Sequence, residues 1–304
     1  MNSELITALK QALPKGSITE NAPLKDYTSF RVGGPAALMI EPFDSGEVRA
    51  AVEVLSGFGL GFMVLGNGTN ILALDGGISE PIIRIGKSMS GLSRFDNCIT
   101  AGAGTTLSAL ARFALENSLT GLEFAAGIPG NVGGGVIMNA GAYGGELKDV
   151  VEAVCFIGPD AKEYAVTGDE MEFGYRHSAL MDSGCIVTAA TFRLRPGKKE
   201  EIQAKMQELN SRRREKQPLE YPSAGSTFKR PAGNFAGTLI ENAGLKGYAV
   251  GGAEVSEKHA GFVINKNNAC AADILAVIDH VQRTVYDKDG VLLEPEVRIW
   301  GRDV

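Results

Sequence analysis

Three short segments carry side chains whose types and spacing could do chemistry. Phe173-Gly-Tyr-Arg-His-Ser178 sets Arg176 among polar and aromatic neighbours in a turn. A guanidinium there offers a planar, permanently charged fork for a carboxylate or a phosphate. Pro222-Ser-Ala-Gly-Ser-Thr-Phe-Lys-Arg-Pro231 is a small-residue loop fenced by prolines, with Ser226 after a glycine and Lys229 and Arg230 behind it. A hydroxyl held in place suits nucleophilic or proton-donating work. The loop lacks the GxSxG pattern and a His/Asp partner, so a serine hydrolase is not indicated. Glu294-Pro-Glu-Val-Arg-Ile-Trp300 brings two carboxylates near the end of the chain. Strand alternation predicts Glu294, Glu296 and Arg298 on one face. Each segment also has a plainer reading, as a surface arginine, a tight loop and a solvated edge strand.

Two glycine-rich stretches could position a ligand against the main chain. The run Gly121–Gly145 is dense in glycine, framed by apolar residues, and ends in Asn-Ala-Gly-Ala-Tyr-Gly-Gly. Glycine lets backbone approach a ligand closely, though a crossover packing main chain on main chain also explains it. Val64-Leu-Gly-Asn-Gly-Thr-Asn-Ile-Leu72 is a strand, a Gly-x-Gly loop and a return to apolar chain. Such a loop can aim successive amides at a pyrophosphate, and a β-hairpin turn explains it equally well. Two backbone cradles together fit a long ligand with two phosphates.

The elements around these segments read as short strands and helices joined by glycine turns, an α+β pattern. Helices are predicted near Ser3–Leu13, Ser45–Leu55 (Asp44 or Ser45 as cap), Thr106–Asn117, Lys198–Lys216 and Ala271–Tyr286, the last with Leu275, Ile278, Val281 and Val285 on one face. Strands are predicted at Pro35–Pro42, Phe62–Leu65, Pro81–Ile85, Cys98–Ala101, Val150–Ile157, Glu163–Val166, Cys185–Leu194 and Val291–Ile299. Texture changes past Pro196, and a weaker boundary falls near residue 88, so the expected domains are 1–88, 89–196 and 197–304.

Composition narrows the function classes. At 304 residues the chain exceeds one typical domain, and its hydrophobic fraction of 44% supports a substantial core. A net charge of −6 gives no electrostatic reason to expect nucleic acid. Cys98, Cys155, Cys185 and Cys270 form no CxxC pair and suggest buried thiols in a reducing compartment. The histidines His177, His259 and His280 have no metal-binding spacing, so no metal is expected. Neither a signal peptide nor a membrane span is read, and a cytoplasmic location is expected.

In chain order, Thr28-Ser-Phe-Arg-Val-Gly-Gly34, Leu65-Gly-Asn-Gly-Thr-Asn70, Gly127-Ile-Pro-Gly-Asn-Val-Gly133, Asn139-Ala-Gly-Ala-Tyr-Gly144, Tyr175-Arg-His-Ser178, Ala224-Gly-Ser-Thr-Phe-Lys229 and Leu293-Glu-Pro-Glu-Val-Arg298 resemble the UDP-N-acetylenolpyruvoylglucosamine reductase family. The resemblance implies a vanillyl-alcohol-oxidase-type FAD-binding fold of two subdomains, followed by a C-terminal α+β substrate-binding domain. It implies noncovalent FAD, NADPH as hydride source, UDP-N-acetylglucosamine enolpyruvate as substrate, and a monomer. The absence of histidine before His177 and of cysteine before Cys98 agrees with an untethered flavin. Carried over by motif, the FAD contacts are Gly66, Asn67, Gly68, Thr69, Asn70, Ile128, Pro129, Gly130, Gly133, Gly134, Ile137 and Arg298. The catalytic positions fall on Arg176, for charge on the substrate carboxylate; Glu296, for positioning it; and Ser226, for delivering the proton, with Lys229 as a helper by proximity. Only a short span separates Tyr175-Arg176 from the strand at Cys185. It leaves no room for the longer insertion of some members, so the chain resembles the shorter variety and no residue is assigned to close over the UDP group.

Overall fold

A computed structural model describes residues 3–303. The chain divides into two compact units. One takes the chain up to Glu20, Leu38–Asn67 and Glu80–Arg213; the other takes Asn21–Ala37, Gly68–Ser79 and Arg214 onward. Each has its own apolar core.

In the first unit, helices α1 (Ser3–Ala12) and α2 (Ser45–Gly57) bury Leu5, Leu9, Val48, Val52 and Leu55 in one core. Asp44 is the cap of α2, its Oδ1 accepting from the Glu47 amide at 3.0 Å. A small sheet runs in the order Ser17–Pro23, Pro35–Glu41, Ile82–Arg84, Met63–Leu65, and the last three strands are parallel. A larger antiparallel sheet follows the order Glu163–Thr167, Val151–Ile157, Ile186–Arg193, Cys98–Gly102, Leu92–Phe95. Helix α3 (Leu107–Glu116), capped by Thr106, buries Leu107, Leu110 and Ala111. Helix α4 (Val132–Ile137) and helix α5 (Lys199–Lys216) complete the set, and α5 runs past the unit boundary at Arg213.

The second unit contains α6 (Ala236–Asn242), α7 (Ala271–Asp289), a three-stranded antiparallel sheet and a parallel pair of strands, Ile71–Ala73 with Arg298–Trp300. Helix α7 buries Ile274, Val277, Ile278, Val281 and Val285, whereas Leu275 is only partly covered. Gly290, at φ 68°, ends α7 in the left-handed conformation that glycine adopts without penalty.

The structure adds to or departs from the sequence reading at four places. The segment before Arg298 is not a continuous strand: only Arg298–Trp300 is one, with Phe228 bridging Pro295, because proline cannot donate to a ladder. Gly66–Asn70 is not a hairpin turn, since Met63–Leu65 and Ile71–Ala73 belong to different sheets. The glycine run contains a helix, α4, at a place where propensity argues against one. The thiols are not buried: Cys155 and Cys270 are exposed, and Cys98 and Cys185 half-buried. Cys155 takes an outward position on its strand. Among the described residues, no helix is long and apolar enough to cross a membrane.

Candidate active site

In the first unit, two glycine segments are joined by one asparagine. Asn131, 2% exposed, caps α4: its Oδ1 accepts from the Gly134 amide at 3.2 Å, and its Nδ2 donates to the Ile85 carbonyl at 3.1 Å. A Cβ on Gly66 would sit 2.6 Å from Asn131 Oδ1, so this position of the Gly-x-Gly loop excludes a side chain. The first amides of α4 are occupied by protein, Val132 donating to Thr105 O and Gly133 to Ala103 O. The start of α4 therefore does not hold a free set of donors for a phosphate.

Downstream, Gly141–Ala142 and Gly145–Glu146 form a hairpin whose two central residues, Tyr143 (φ 54°) and Gly144 (φ 88°), are both left-handed. Two-residue hairpin turns favour that geometry. The Arg212 guanidinium lies 5.2 Å from the Tyr143 ring centroid. Arg176 occupies a second tight turn, in which Gly174 and His177 exchange backbone bonds, the Gly174 amide at 3.1 Å and the His177 amide at 3.3 Å. Arg176 is half-buried, left-handed at φ 53°, and 5.4 Å from the Tyr175 ring centroid. Such strain in a non-glycine residue persists only when surroundings fix it. Close by, hydrogen bonding from Lys148 holds the Glu146 carboxyl below its ordinary range, aided by Asn139 and by the charges of Lys148 and Arg176.

In the second unit, the serine loop lies antiparallel to the Glu294–Val297 segment. Lys229 N donates to Glu294 O and Glu296 N to Thr227 O, both at 2.8 Å. Ser226 is exposed between Gly225, at φ 79°, and Thr227, which is 1% exposed. Thr227 donates its amide to Gly261 O, and its hydroxyl accepts from Val263 N, both at 2.9 Å. Ser226 and Glu296 are thus brought to neighbouring positions. Asn70 joins them, its Nδ2 donating to Glu296 O at 3.1 Å and its carbonyl accepting from Arg298 N at 3.0 Å. Gly68, at φ 61°, packs so closely that a Cβ would meet the Tyr27 carbonyl at 2.1 Å. Glu294 is exposed and ion-paired to Lys229 at 3.1 Å, whereas Glu296 is half-buried. The Lys229 ammonium turns to Glu294, which separates it from the role of helper that proximity suggested.

Two family models match the chain: an FAD binding domain over residues 36–166, and the UDP-N-acetylenolpyruvoylglucosamine reductase C-terminal domain over residues 217–300. Proteins named UDP-N-acetylenolpyruvoylglucosamine reductase from Agathobacter rectalis and Limosilactobacillus fermentum are each 50% identical to it, the first over 99% of both chains, the second over 95% of this chain and 96% of the other. The chain belongs to the UDP-N-acetylenolpyruvoylglucosamine reductase family. It is therefore an enzyme of an FAD-dependent oxidoreductase family. The crystal structure of the reductase from Thermus caldophilus superposes with TM-score 0.80 at 37% identity, covering 94% of this chain and 99% of that one. A glucose dehydrogenase, Phl p 4.0202, shares the fold alone at TM-score 0.51 and 16% identity, over 65% of this chain and 45% of its own. The vanillyl-alcohol-oxidase-type FAD fold expected from the sequence is the fold observed.

The family's cofactor fits the residues present. Gly66–Asn70 carries no lysine or arginine, so a phosphate there would be met by neutral amides and by Asn67, Thr69 and Asn70. Among the described residues, the amides of Asn67 and Gly68 donate to no protein acceptor. Half-buried Ile128 and Ile137 offer apolar surface suited to a flavin ring, and Gly130, at φ 122°, keeps the loop between them free of side chain. Sequence reasoning did not single out Asn131 or Asn139, the buried asparagines that bond these segments together. An asparagine before a helical turn is a recognisable cap signal for the first; no local signal marks the second.

Proposed function

We propose that this reductase converts UDP-N-acetylglucosamine enolpyruvate to UDP-N-acetylmuramate, a step of peptidoglycan precursor synthesis, with NADPH as electron donor and noncovalent FAD. The observation that carries the reading is the apposition of the Ser226 loop and the Glu296 segment, in a chain whose relatives bear this reductase name. FAD, when bound, would supply the hydride-transfer chemistry between NADPH and the terminal alkene carbon of the substrate.

The chain's own residues would handle charge and proton. As hydride arrives, negative charge grows on the substrate carboxylate, and the preorganised Arg176 guanidinium stabilises it. Glu296 orients that carboxylate region, and Ser226 gives its hydroxyl proton to the adjacent carbon. Gly66, Asn67, Gly68, Thr69 and Asn70 hold the pyrophosphate part of the cofactor, and Ile128, Pro129, Gly130, Gly133, Gly134, Ile137 and Arg298 hold the rest. Residues 1–88 and 89–196 serve as FAD subdomains and 197–304 as the substrate domain of a monomeric cytoplasmic enzyme.

The test is NADPH oxidation by the purified protein. It should depend on added enolpyruvyl sugar nucleotide, with little turnover in oxygenated buffer alone. Oxidation that proceeds equally with oxygen would favour an oxidase, and a colourless protein that FAD cannot reconstitute would sink the flavoenzyme reading.

A further inference from the structure

The Arg176 turn is closed by its own two backbone bonds and is also held from outside. Its strained residue sits at the tip of a four-residue loop, where relaxation to an extended conformation would relieve the left-handed backbone. Two buried side chains from outside the turn bracket it. Asn139, 1% exposed, donates from Nδ2 to the Gly174 carbonyl and to Glu146 Oε2, each at 2.9 Å, while its Oδ1 accepts from the Lys148 amide at 3.0 Å. Both of its amide protons and one face of its oxygen are thereby used inside the protein. On the other side of the turn, Ser178, 0% exposed, donates its hydroxyl to the Ile137 carbonyl at 2.8 Å. Ile137 is the last residue of α4, and Asn139 follows it by two positions. The turn that carries Arg176 is therefore pinned, before and after the arginine, to the end of the glycine helix.

We propose that Asn139 and Ser178 are positioning residues that fix Arg176 for the substrate carboxylate by tying its turn to the end of α4. This rests on the role given to Arg176 above. Neither residue has an exposed polar atom for a ligand, so any effect on chemistry passes through the turn. Asn139 is itself left-handed at φ 42°, a conformation that asparagine tolerates better than other side-chain-bearing residues. Its amide supplies donors to a carboxylate and to a carbonyl at once, which an aspartate of the same shape cannot do.

The experiment compares FAD-loaded Asn139→Ala, Ser178→Ala, Arg176→Ala and the double variant Asn139→Ala/Arg176→Ala. Small displacements of a catalytic group cost rate, so reoxidation of the reduced enzyme by the enolpyruvyl sugar nucleotide should slow about 10- to 100-fold in both single positioning variants. Reduction by NADPH should stay within about threefold of the parent. Because the residues act through Arg176, the double variant should be no slower than Arg176→Ala alone. Trypsin cleavage after Arg176, followed by mass spectrometry, should rise about tenfold in Asn139→Ala and Ser178→Ala, because cleavage tracks local opening. Parent-like reoxidation with parent-like cleavage overturns the proposal, as do fully additive losses in the double variant. Should Arg176→Ala itself reoxidise normally, the role of Arg176 fails, and the cleavage rates alone then decide whether the bracket holds the turn. Should Asn139→Ala not fold, Ser178→Ala, which removes one hydroxyl, carries the test.

Discussion

The proton-donating role proposed for Ser226 suits what its neighbours cannot do. Gly225 takes a left-handed turn just before it, and Thr227 is locked by its amide, its carbonyl and its hydroxyl. The exposed hydroxyl between them is presented by a fixed backbone, so replacing it removes the hydroxyl without removing packing. Ser226→Ala should leave flavin reduction by NADPH close to the parent and slow reoxidation by substrate at least ~100-fold, the lower end for a positioned proton donor. Stopped-flow reoxidation near the parent rate would take Ser226 out of the acid role. Arg176→Ala should lower the chemical rate; a raised substrate requirement with unchanged chemistry would make it a binding residue only. Arg176 and Ser226 stood out in the sequence as a charged fork in a turn-like stretch and a hydroxyl in a loop fenced by prolines, but each stretch holds other polar groups, and their proposed roles came through the resemblance. Glu296 was not separable from Glu294 by alternation and was chosen through the resemblance. In the structure Glu294 is exposed and ion-paired to Lys229, whereas Glu296 is half-buried. The cap role of Asn131 was locally readable, but its bond to Ile85 was not, and neither was the bond of Asn139 to Gly174, because those partners lie 46 and 35 residues away along the chain.

At the scale of elements, α4 is the least self-sufficient piece of the fold. Three of its six residues are glycine, each costing roughly 0.5–1 kcal/mol relative to alanine in a helix. Its stability comes from outside, through the amide bonds to Thr105 and Ala103 and the side chain of Asn131. This is why helical periodicity failed there while it succeeded for α3 and α7. Loss of a cap costs about 0.5–2 kcal/mol, so Asn131→Ala should lower the unfolding midpoint by about 1–8 °C and release FAD more readily. An unchanged midpoint with full flavin content would show that α4 does not depend on its cap. A second element should respond to pH. Burial holds His259 below its ordinary pKa, and its Nδ1 accepts from the Gly261 amide at 3.1 Å, beside the peptide that receives the Thr227 amide. Lys246, Glu241 and Lys216 are the charges that act on it. The unfolded chain binds this proton near pH 6.5, whereas the folded chain binds it only at lower pH. The stabilisation is therefore complete above about 6.5 and is lost as pH falls through the folded value. Between about pH 7.5 and 5.5, the unfolding midpoint of the parent should drop more than that of His259→Asn, which keeps an acceptor and does not titrate. Parallel curves would remove His259 as the cause.

For the whole molecule, the order of residues along the chain and the grouping of residues in space are different things. The C-terminal family model covers residues 217–300 as one continuous stretch. The compact unit that contains it also takes Asn21–Ala37 and Gly68–Ser79. Those two inserts are structural parts. Phe30, Val32, Leu72 and Leu74 are buried in its core, at 0, 3, 0 and 8% exposure. Ile71–Ala73 is the strand partner of Arg298–Trp300. The Asp75 carboxylate accepts from the Ala271 and Ala272 amides at 3.0 Å, capping α7, and Asn265 Nδ2 donates to the Phe30 carbonyl at 3.0 Å. A change of texture near residue 196 is visible in the sequence, but recruitment of two earlier stretches is not, because no local pattern encodes a partner two hundred residues away. Burying a large apolar side chain is worth about 1.5–3 kcal/mol, so four of them amount to roughly 6–12 kcal/mol. That is of the same order as the ~5–15 kcal/mol by which a whole domain is stable. A fragment comprising residues 214–304 should therefore lack fixed tertiary structure, with weak near-ultraviolet dichroism and no cooperative thermal transition. Adding the segments 21–37 and 68–79 through short glycine-serine linkers should restore a cooperative transition. If the bare fragment unfolds cooperatively, the inserts are dispensable and the C-terminal stretch carries a sufficient core of its own.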